Sequence, residues 1–235
     1  MSAYGAIARP QSAPTLPTTL WHLRESAVTV HHLTLATAKS LDGLIEHLGD
    51  IMAKVVEEGR TYPQETMALD TFEAYFFSAD VFLALPGEGD RGIDGAETPL
   101  TIKDARQGRS WDDCIVGFYY VKPNYPGRSS HASFLYIDIC NGGFIVPPRH
   151  RGCGYGSALA KSYVQNAPKL GYRASVFNLV YTNNAASVKL WEKLDFKKAG
   201  LIPKAGRLRR KDGDGEEYVD AWVFYKSFVD ESESA

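Results

Sequence analysis

The chain reads as one α/β domain with a mixed sheet flanked by helices. Three observations predict this. Residues 42–58 carry apolar side chains at helical spacing. Cys114–Val121 (CIVGFYYV) and Val219–Phe228 (VDAWVFYKSF) are β-branched and aromatic runs. From Phe134 onward the pattern alternates strand, helix, strand, helix, strand. With 235 residues, 44% hydrophobic and 23% charged, the chain can bury a substantial core as one soluble domain. That domain is expected over 26–229, between a flexible tail (1–25) rich in Ala, Pro, Ser and Thr and a solvated acidic end (230–235).

Taken in order, Leu44, Ile45, Leu48, Ile51, Met52, Val55 and Val56 define an amphipathic helix that Gly59 is placed to stop. The polar connector Arg60–Gln64 leads to a second helix expected from Asp70, capped by that carboxylate with Glu73 completing a capping box. Val81–Leu85 reads as a strand, and 86–112, rich in Gly, Asp and Glu, as a partly disordered surface excursion. Cys114–Val121 is expected as a buried strand. Phe134–Val146 is another strand region, in which Asn141-Gly142-Gly143 predicts a bulge or a kink. Pro147-Pro148 ends it. A helix over Gly154–Ala167 follows, with Leu159, Tyr163 and Val164 on its apolar face. Ala174–Tyr181 is then a strand, Ala185–Leu194 a short helix, and two extended segments close the chain.

Composition excludes several classes. A net charge of −2 gives no overall pull toward nucleic acid or anionic membrane. No apolar run approaches the roughly 20 residues of a spanning helix. Cys114, Cys140 and Cys153 are odd in number and lack metal-ligand spacing, which fits a reduced compartment and no metal site. The cytoplasm is the expected location. The alternative is a mitochondrial presequence within the tail, which Pro10, Pro14 and Pro17 oppose by disfavouring helix.

Two motifs carry chemistry. Arg149-His150-Arg151-Gly152-Cys153-Gly154-Tyr155-Gly156-Ser157 follows a strand and opens a helix. Its glycines let the backbone curl, and the helix start offers free N–H groups and the positive end of its dipole to a phosphate or pyrophosphate. No Gly-Lys-Ser/Thr closes it as a Walker loop, and the order is not that of a dinucleotide fingerprint. Alone, it is also readable as a plain strand-to-helix turn. One strand later come Asn183-Asn184-Ala185-Ala186-Ser187 and Leu194-Asp195-Phe196. Asn184 by itself reads as an N-cap. The spacing of the two motifs across one strand favours a shared ligand.

Arg151-x-x-Gly154-x-Gly156, with Asn184-x-x-Ser187, resembles the paired cofactor motifs of the GNAT acetyltransferase superfamily. The stretches Glu58–Gln64, Gly117–Tyr125, Cys140–Phe144, Phe177–Val180 and Gly200–Gly206 narrow the resemblance. They are similar to a fungal branch, the L-azetidine-2-carboxylate (proline-analogue) N-acetyltransferases. The similarity covers roughly 42–228, with 86–112 and part of 130–139 fitting least well.

The resemblance implies a splayed sheet with acetyl-CoA wedged between the strand ending at Val146 and the strand from Ala174. Backbone groups of Phe144, Ile145 and Val146 would meet the pantetheine arm. Arg151, Gly152, Cys153, Gly154, Tyr155, Gly156 and Ser157 would wrap the pyrophosphate, and Asn184 and Ser187 would face the cofactor from the other side. In the branch, the position of Asn141 anchors the substrate carboxylate, Asn178 and Leu179 add backbone contacts, and Asn184 serves catalysis. Amide donors of this kind can stabilise charge developing on an attacked carbonyl. The tyrosine that many relatives carry seven residues after the motif Asn is Trp191 here, as in the branch, so no side chain is assigned as proton donor. Asp220 and His150 are weak candidates for a base beside a water chain. The branch also implies a homodimer.

Other readings stay open. Tyr62 lines an acceptor pocket or simply packs. Cys153, at a helix start beside cations, permits a cysteine-nucleophile hydrolase, although a wrapped pyrophosphate would bury it. Arg207, Arg209, Arg210 and Lys211 before Asp212-Gly213-Asp214-Gly215 read as a hairpin tip rather than a nucleic-acid patch. The acceptor is expected to be a small amino or imino acid. The alternatives are a general amine or peptide acetyltransferase and a non-catalytic acyl-CoA sensor.

Overall fold

The computed structural model describes residues 15–87, 92–125 and 137–229. The strands are β1 (Thr19–His22), β2 (Ala27–Leu33), β3 (Asp80–Gly87), β4 (Ala96–Glu97), β5 (Gly117–Pro123), β6 (Ile137–Ile145), β7 (Tyr172–Tyr181), β8 (Lys197–Arg209) and β9 (Glu216–Ser227). The helices are α1 (Leu35–Lys39), α2 (Leu44–Glu57), α3 (Leu69–Phe76), α4 (Ile102–Arg106), α5 (Trp111–Cys114), α6 (Tyr155–Lys169) and α7 (Ala185–Lys193). One mixed sheet runs β4-β1-β2-β3-β5-β6-β7-β9-β8. Among the described residues its sole parallel pair is β6 with β7, joined by the crossover helix α6. The expected α/β architecture is therefore the observed one.

Successive residues of the central strands face opposite layers. Val81, Leu83, Leu85, Phe118 and Tyr120 pack with Leu48, Met52, Phe72 and Phe76 of the early helices. Phe82, Ala84, Tyr119 and Val121 pack instead with Leu159 and Tyr163 of α6. Both faces of β3 and β5 are buried, which is why β5 reads as a continuous apolar run rather than an alternating one.

Several expectations are corrected. β1 lies inside the stretch expected as a tail to residue 25; residues 1–14 and 230–235 lie outside the described residues. Trp21 is buried in the α6-side core, and the Leu16 amide donates to His32 Nδ1 at 2.8 Å, so the segment is tied down. α3 starts at Leu69 with no side-chain cap. Asp70 therefore lies inside the first turn and not at the cap, so the capping box does not form; its Oδ1 accepts from the Thr71 amide at 2.6 Å, and Glu73 meets Lys39 Nζ at 2.8 Å. The excursion 86–112 contains β4, α4 and the first half of α5, with 88–91 outside the described residues. Cys114 closes α5 instead of opening β5.

Asn141-Gly142-Gly143 forms no bulge against β5: the ladder runs from Pro123↔Cys140 to Phe118↔Ile145 without a shift. The glycines answer a packing need. A Cβ at Gly142 would sit 2.7 Å from the Tyr163 ring, and one at Gly143 would sit 2.5 Å from the Tyr120 ring. The irregularity falls in β7, between Phe177 and Val180 against β9.

The β6/β7 pairing is short. It runs from Ile137↔Tyr172 to Cys140↔Ser175 and then stops, leaving Asn141–Ile145 and Val176–Tyr181 to diverge. At that fork the buried Tyr163 hydroxyl lies 3.0 Å from Cys140 Sγ and 2.7 Å from Ser175 Oγ, bridging the last paired residues. Tyr163→Phe would take one partner from each of two buried polar groups. We expect it to cost about 1–3 kcal/mol by urea denaturation. A loss well under about 0.5 kcal/mol, half the usual net worth of one hydrogen bond, would show that the bridge is idle.

Candidate active site

The fork opens into a cavity of about 1080 Å³. One end meets the turn Arg151–Ser157; the other reaches the connector between α2 and α3. Gly152 and Gly154 hold φ of +81° and +89°, the left-handed region that tightens this turn. Gly154 is the N-cap of α6 and no side chain caps the helix. The first-turn N–H groups of Tyr155 and Gly156 therefore have no intrahelical acceptor, and an anion at this spot would meet donors and dipole together.

Of the residues expected from the sequence, Tyr62, Asn141, Phe144, Ile145, Val146, Arg151, Gly152, Gly156, Ser157, Asn178, Leu179, Asn184 and Ser187 all line this cavity. Cys153 and Gly154 line a smaller hollow on the outer side of the turn, shared with His22–Ser26. The Tyr155 ring turns to His150, with centroids 5.7 Å apart.

The cations of the turn are already engaged. Arg151 forms a two-point ion pair with Glu58, at 2.9 and 3.1 Å, and its Nε donates to the Val146 carbonyl at 3.3 Å. Arg149 pairs with Asp112. Arg151 thus struts the turn against the end of α2. That end is itself docked on the β8–β9 hairpin, where the Arg209 amide donates to the Gly59 carbonyl at 2.8 Å.

Asn184 combines both readings of the sequence. Its Oδ1 accepts from the Ser187 amide at 3.2 Å, as an N-cap, and its Nδ2 has no partner among the described residues while it lines the cavity. Asn178 is committed on both sides. Its Nδ2 donates to Asn124 Oδ1 at 2.7 Å, and its Oδ1 accepts from Tyr125 Oη at 3.2 Å. Its side chain is thus largely engaged within the protein, while its backbone lies in the irregular stretch of β7. Trp191 is 4% exposed and packs against Phe144, Phe177 and Phe196 with centroids 4.4–5.2 Å apart.

Sequence reasoning named Tyr62 but missed the two tyrosines that complete its aromatic wall and the lysine beside them. Tyr62, Tyr75 and Tyr120 gather over Gly143, and the hydroxyls of Tyr75 and Tyr120 are 2.9 Å apart. Burial pushes all three phenols up, so they remain protonated donors at neutral pH. Lys122 was legible as a lone charge in the apolar run of β5. Asp220 is structural: its Oδ1 accepts from the amide of Lys204, a residue at φ +50° within the shifted stretch of β8. His150 lies at the cavity edge, its pKa lowered by burial and by Arg149.

The model of the acetyltransferase (GNAT) family matches residues 87–196. The N-acetyltransferase aca1 of Schizosaccharomyces pombe is 38% identical over 191 residues, which span 81% of this chain and 83% of that protein. Among solved structures, a GCN5-related N-acetyltransferase from Kribbella flavida aligns with TM-score 0.61 at 21% identity, over 85% of this chain and 97% of that one. The yncA protein of Salmonella typhimurium, solved with its cofactor acetyl-CoA, aligns with TM-score 0.57 at 15% identity, over 87% and 96% of the two chains. At these identities the solved structures speak for the fold.

Proposed function

Since this chain belongs to the GNAT acetyltransferase family and is an acetyl-CoA-dependent N-acetyltransferase, we propose that its acceptor is the nitrogen of a small amino or imino acid. A proline analogue such as L-azetidine-2-carboxylate or cis-4-hydroxyproline is the favoured example. The observation that carries this reading is the lining of the cavity. Lys122, His150 and Arg151 line it, together with four asparagines, and no Asp or Glu does among the described residues. A site for a lysine-rich peptide or a polyamine would need carboxylates; this one suits a small anion-bearing amine.

Acetyl-CoA supplies an activated acetyl thioester, and the residues present fit it. The diverging strands leave Asn141–Ile145 unpaired on the β7 side, so backbone groups of Phe144, Ile145 and Val146 are available to a pantetheine arm. The uncapped start of α6, from Gly154 through Ser157, would take the pyrophosphate, with Gly152 and Cys153 shaping the turn and Arg151 bracing it. Asn184 Nδ2 would donate toward the reacting group. Asn141, whose side chain has no hydrogen-bond partner among the described residues, would bind the acceptor carboxylate, aided by the backbone of Asn178 and Leu179. Tyr62 would close the acceptor end. With no carboxylate in the lining and Asp220 engaged with the Lys204 amide, a water chain is the favoured route for the proton of the acceptor nitrogen, with His150 at the cavity edge the remaining side-chain candidate. Both substrates bound at once makes direct transfer the simplest sequence of events. Detoxification of such analogues, and relief of oxidative stress tied to proline metabolism, would be the physiological corollary. Leu201 and Ile202, more than 40% exposed on the edge strand β8, support a homodimer.

The test is coenzyme A release from acetyl-CoA by the purified protein. L-azetidine-2-carboxylate, proline, lysine, a histone-tail peptide and no acceptor are compared side by side. The expected result is saturable release with the azetidine acid, lowered on the order of tenfold or more in Asn141→Ala, the loss typical of one charge-assisted hydrogen bond. Release only with lysine or the peptide would replace this reading by a general amine or peptide acetyltransferase. Binding of acetyl-CoA without release to any acceptor would favour a sensor.

A further inference from the structure

Lys122 is a largely buried cation with no carboxylate partner among the described residues. It lies on β5, in register with Asn141 on β6, so the two side chains are direct cross-strand neighbours on one face of the sheet. Both line the cavity at its acceptor end. The Lys122 ammonium lies 3.6 Å from the centroid of the Tyr75 ring and 4.2 Å from that of Tyr120. It donates to the Tyr75 carbonyl at 3.2 Å. No carboxylate of the described residues pairs with it. One of its three N–H donors is thus used, two are free, and the surrounding phenols stay neutral. An unpaired, largely desolvated cation is costly to keep, which points to a ligand anion as its partner.

Resting on the acceptor class proposed above, we propose that Lys122 and Asn141 form a two-point site for the free carboxylate of the acceptor, with Lys122 setting specificity for acids over their amides and esters. The tyrosine rings hold the ammonium in place without neutralising it, as a cation over an aromatic face is held. Asn141 adds a neutral donor one strand away, and the carboxylate oxygens accept from both. An acceptor lacking the carboxylate leaves the cation unmatched. Burial depresses the Lys122 pKa to about 8. The free enzyme is therefore charged, and able to bind the anion, below that pH, and loses its proton above it.

The experiment compares L-azetidine-2-carboxylate, its carboxamide and the corresponding pair from any other amino acid the protein acetylates. The native protein is set beside Lys122→Met and Lys122→Arg. We expect native kcat/KM to favour the acid, and Lys122→Met to cut that preference about ten- to hundredfold, the range of one charge-assisted hydrogen bond. Comparing the ratio between proteins cancels the difference in amine basicity between acid and amide. The loss should appear in KM for the acid, with kcat and acetyl-CoA affinity little changed and a melting temperature no lower than native. Lys122→Arg should retain part of the preference. Cyclobutanecarboxylate, which has no nitrogen to acetylate, should inhibit with a Ki that is flat at lower pH and rises above about pH 8, and Lys122→Met should remove that rise. An acid-to-amide ratio that Lys122→Met leaves unchanged from the native protein would overturn the proposal. So would a Lys122→Met defect confined to kcat and equal for both acceptors, which would make Lys122 a base instead. If the azetidine acid is inert but another amino acid shows the Lys122-dependent preference, the carboxylate site stands and the proline-analogue reading falls. If only amines without a carboxylate are acetylated, both fall.

Discussion

Asn184→Ser should release coenzyme A on the order of 100 to 1,000 times more slowly than the native protein, the usual cost of removing one donor aimed at a developing charge. It should nevertheless melt at nearly the native temperature. The substitution separates two jobs that one side chain performs. Serine can still accept from the Ser187 amide and cap α7, as Asn184 Oδ1 does at 3.2 Å. It cannot replace Nδ2, which has no partner among the described residues and lines the cavity. Asn184→Ala should lose the same rate and, in addition, about 1 kcal/mol of stability through the missing cap. The measurements are steady-state turnover and thermal melting of both variants. A serine variant with native turnover, beside an alanine variant that is merely less stable, would reduce Asn184 to a capping residue.

Trp191→Ala should cost about 3–5 kcal/mol, read by chemical denaturation, as for other large aromatic side chains truncated in a core. Trp191 is the one buried residue of α7, and its ring meets Phe144, Phe177 and Phe196 at once. Phe144 belongs to β6 and Phe177 to β7, so the indole packs against both diverging strands and fastens the helix started by Asn184. The native kcat/KM for acetyl-CoA should fall with stability, because the wall of the cavity moves with the helix. A loss below about 1 kcal/mol, typical of an ordinary surface or half-buried change, would show that the aromatic cluster closes without the indole. The position shows why a tyrosine-based proton donor was not to be expected here: the side chain is a packing element first.

How much was legible depended on the range of the interaction involved. The α2 stripe, the turn before α6 and the start of α7 announce themselves through neighbours three to seven residues apart, and each appears within a few residues of its expected bounds. The capping box at Asp70 failed because α3 starts one residue earlier, with Ala68 at the cap position and Asp70 already inside the first turn, and Glu73 turns instead to Lys39, 34 residues away. The tail to residue 25 failed in part through distant partners. Its composition is that of a loop, but Trp21 and the Leu16 amide find their partners in the core and on β2. Asn141-Gly142-Gly143 suggested a bend because glycine usually marks one, whereas these glycines make room for Tyr163 and Tyr120, rings contributed by α6 and β5.

By itself, then, the sequence determined the main helices and strands from α2 onward, the glycine-rich turn before α6 and the asparagine that opens α7, since each is a local pattern set by backbone preference and short-range donors, while β1, β2, α1 and the short elements between β3 and β5 were not foreseen. Only the tertiary structure decided that β6 and β7 part after Cys140 and Ser175, that Arg151 braces a turn against Glu58, and that Lys122 stands uncompensated beside Asn141. Those features arise where strands and helices distant in sequence meet, and burial, charge pairing and register there depend on neighbours that no local window contains.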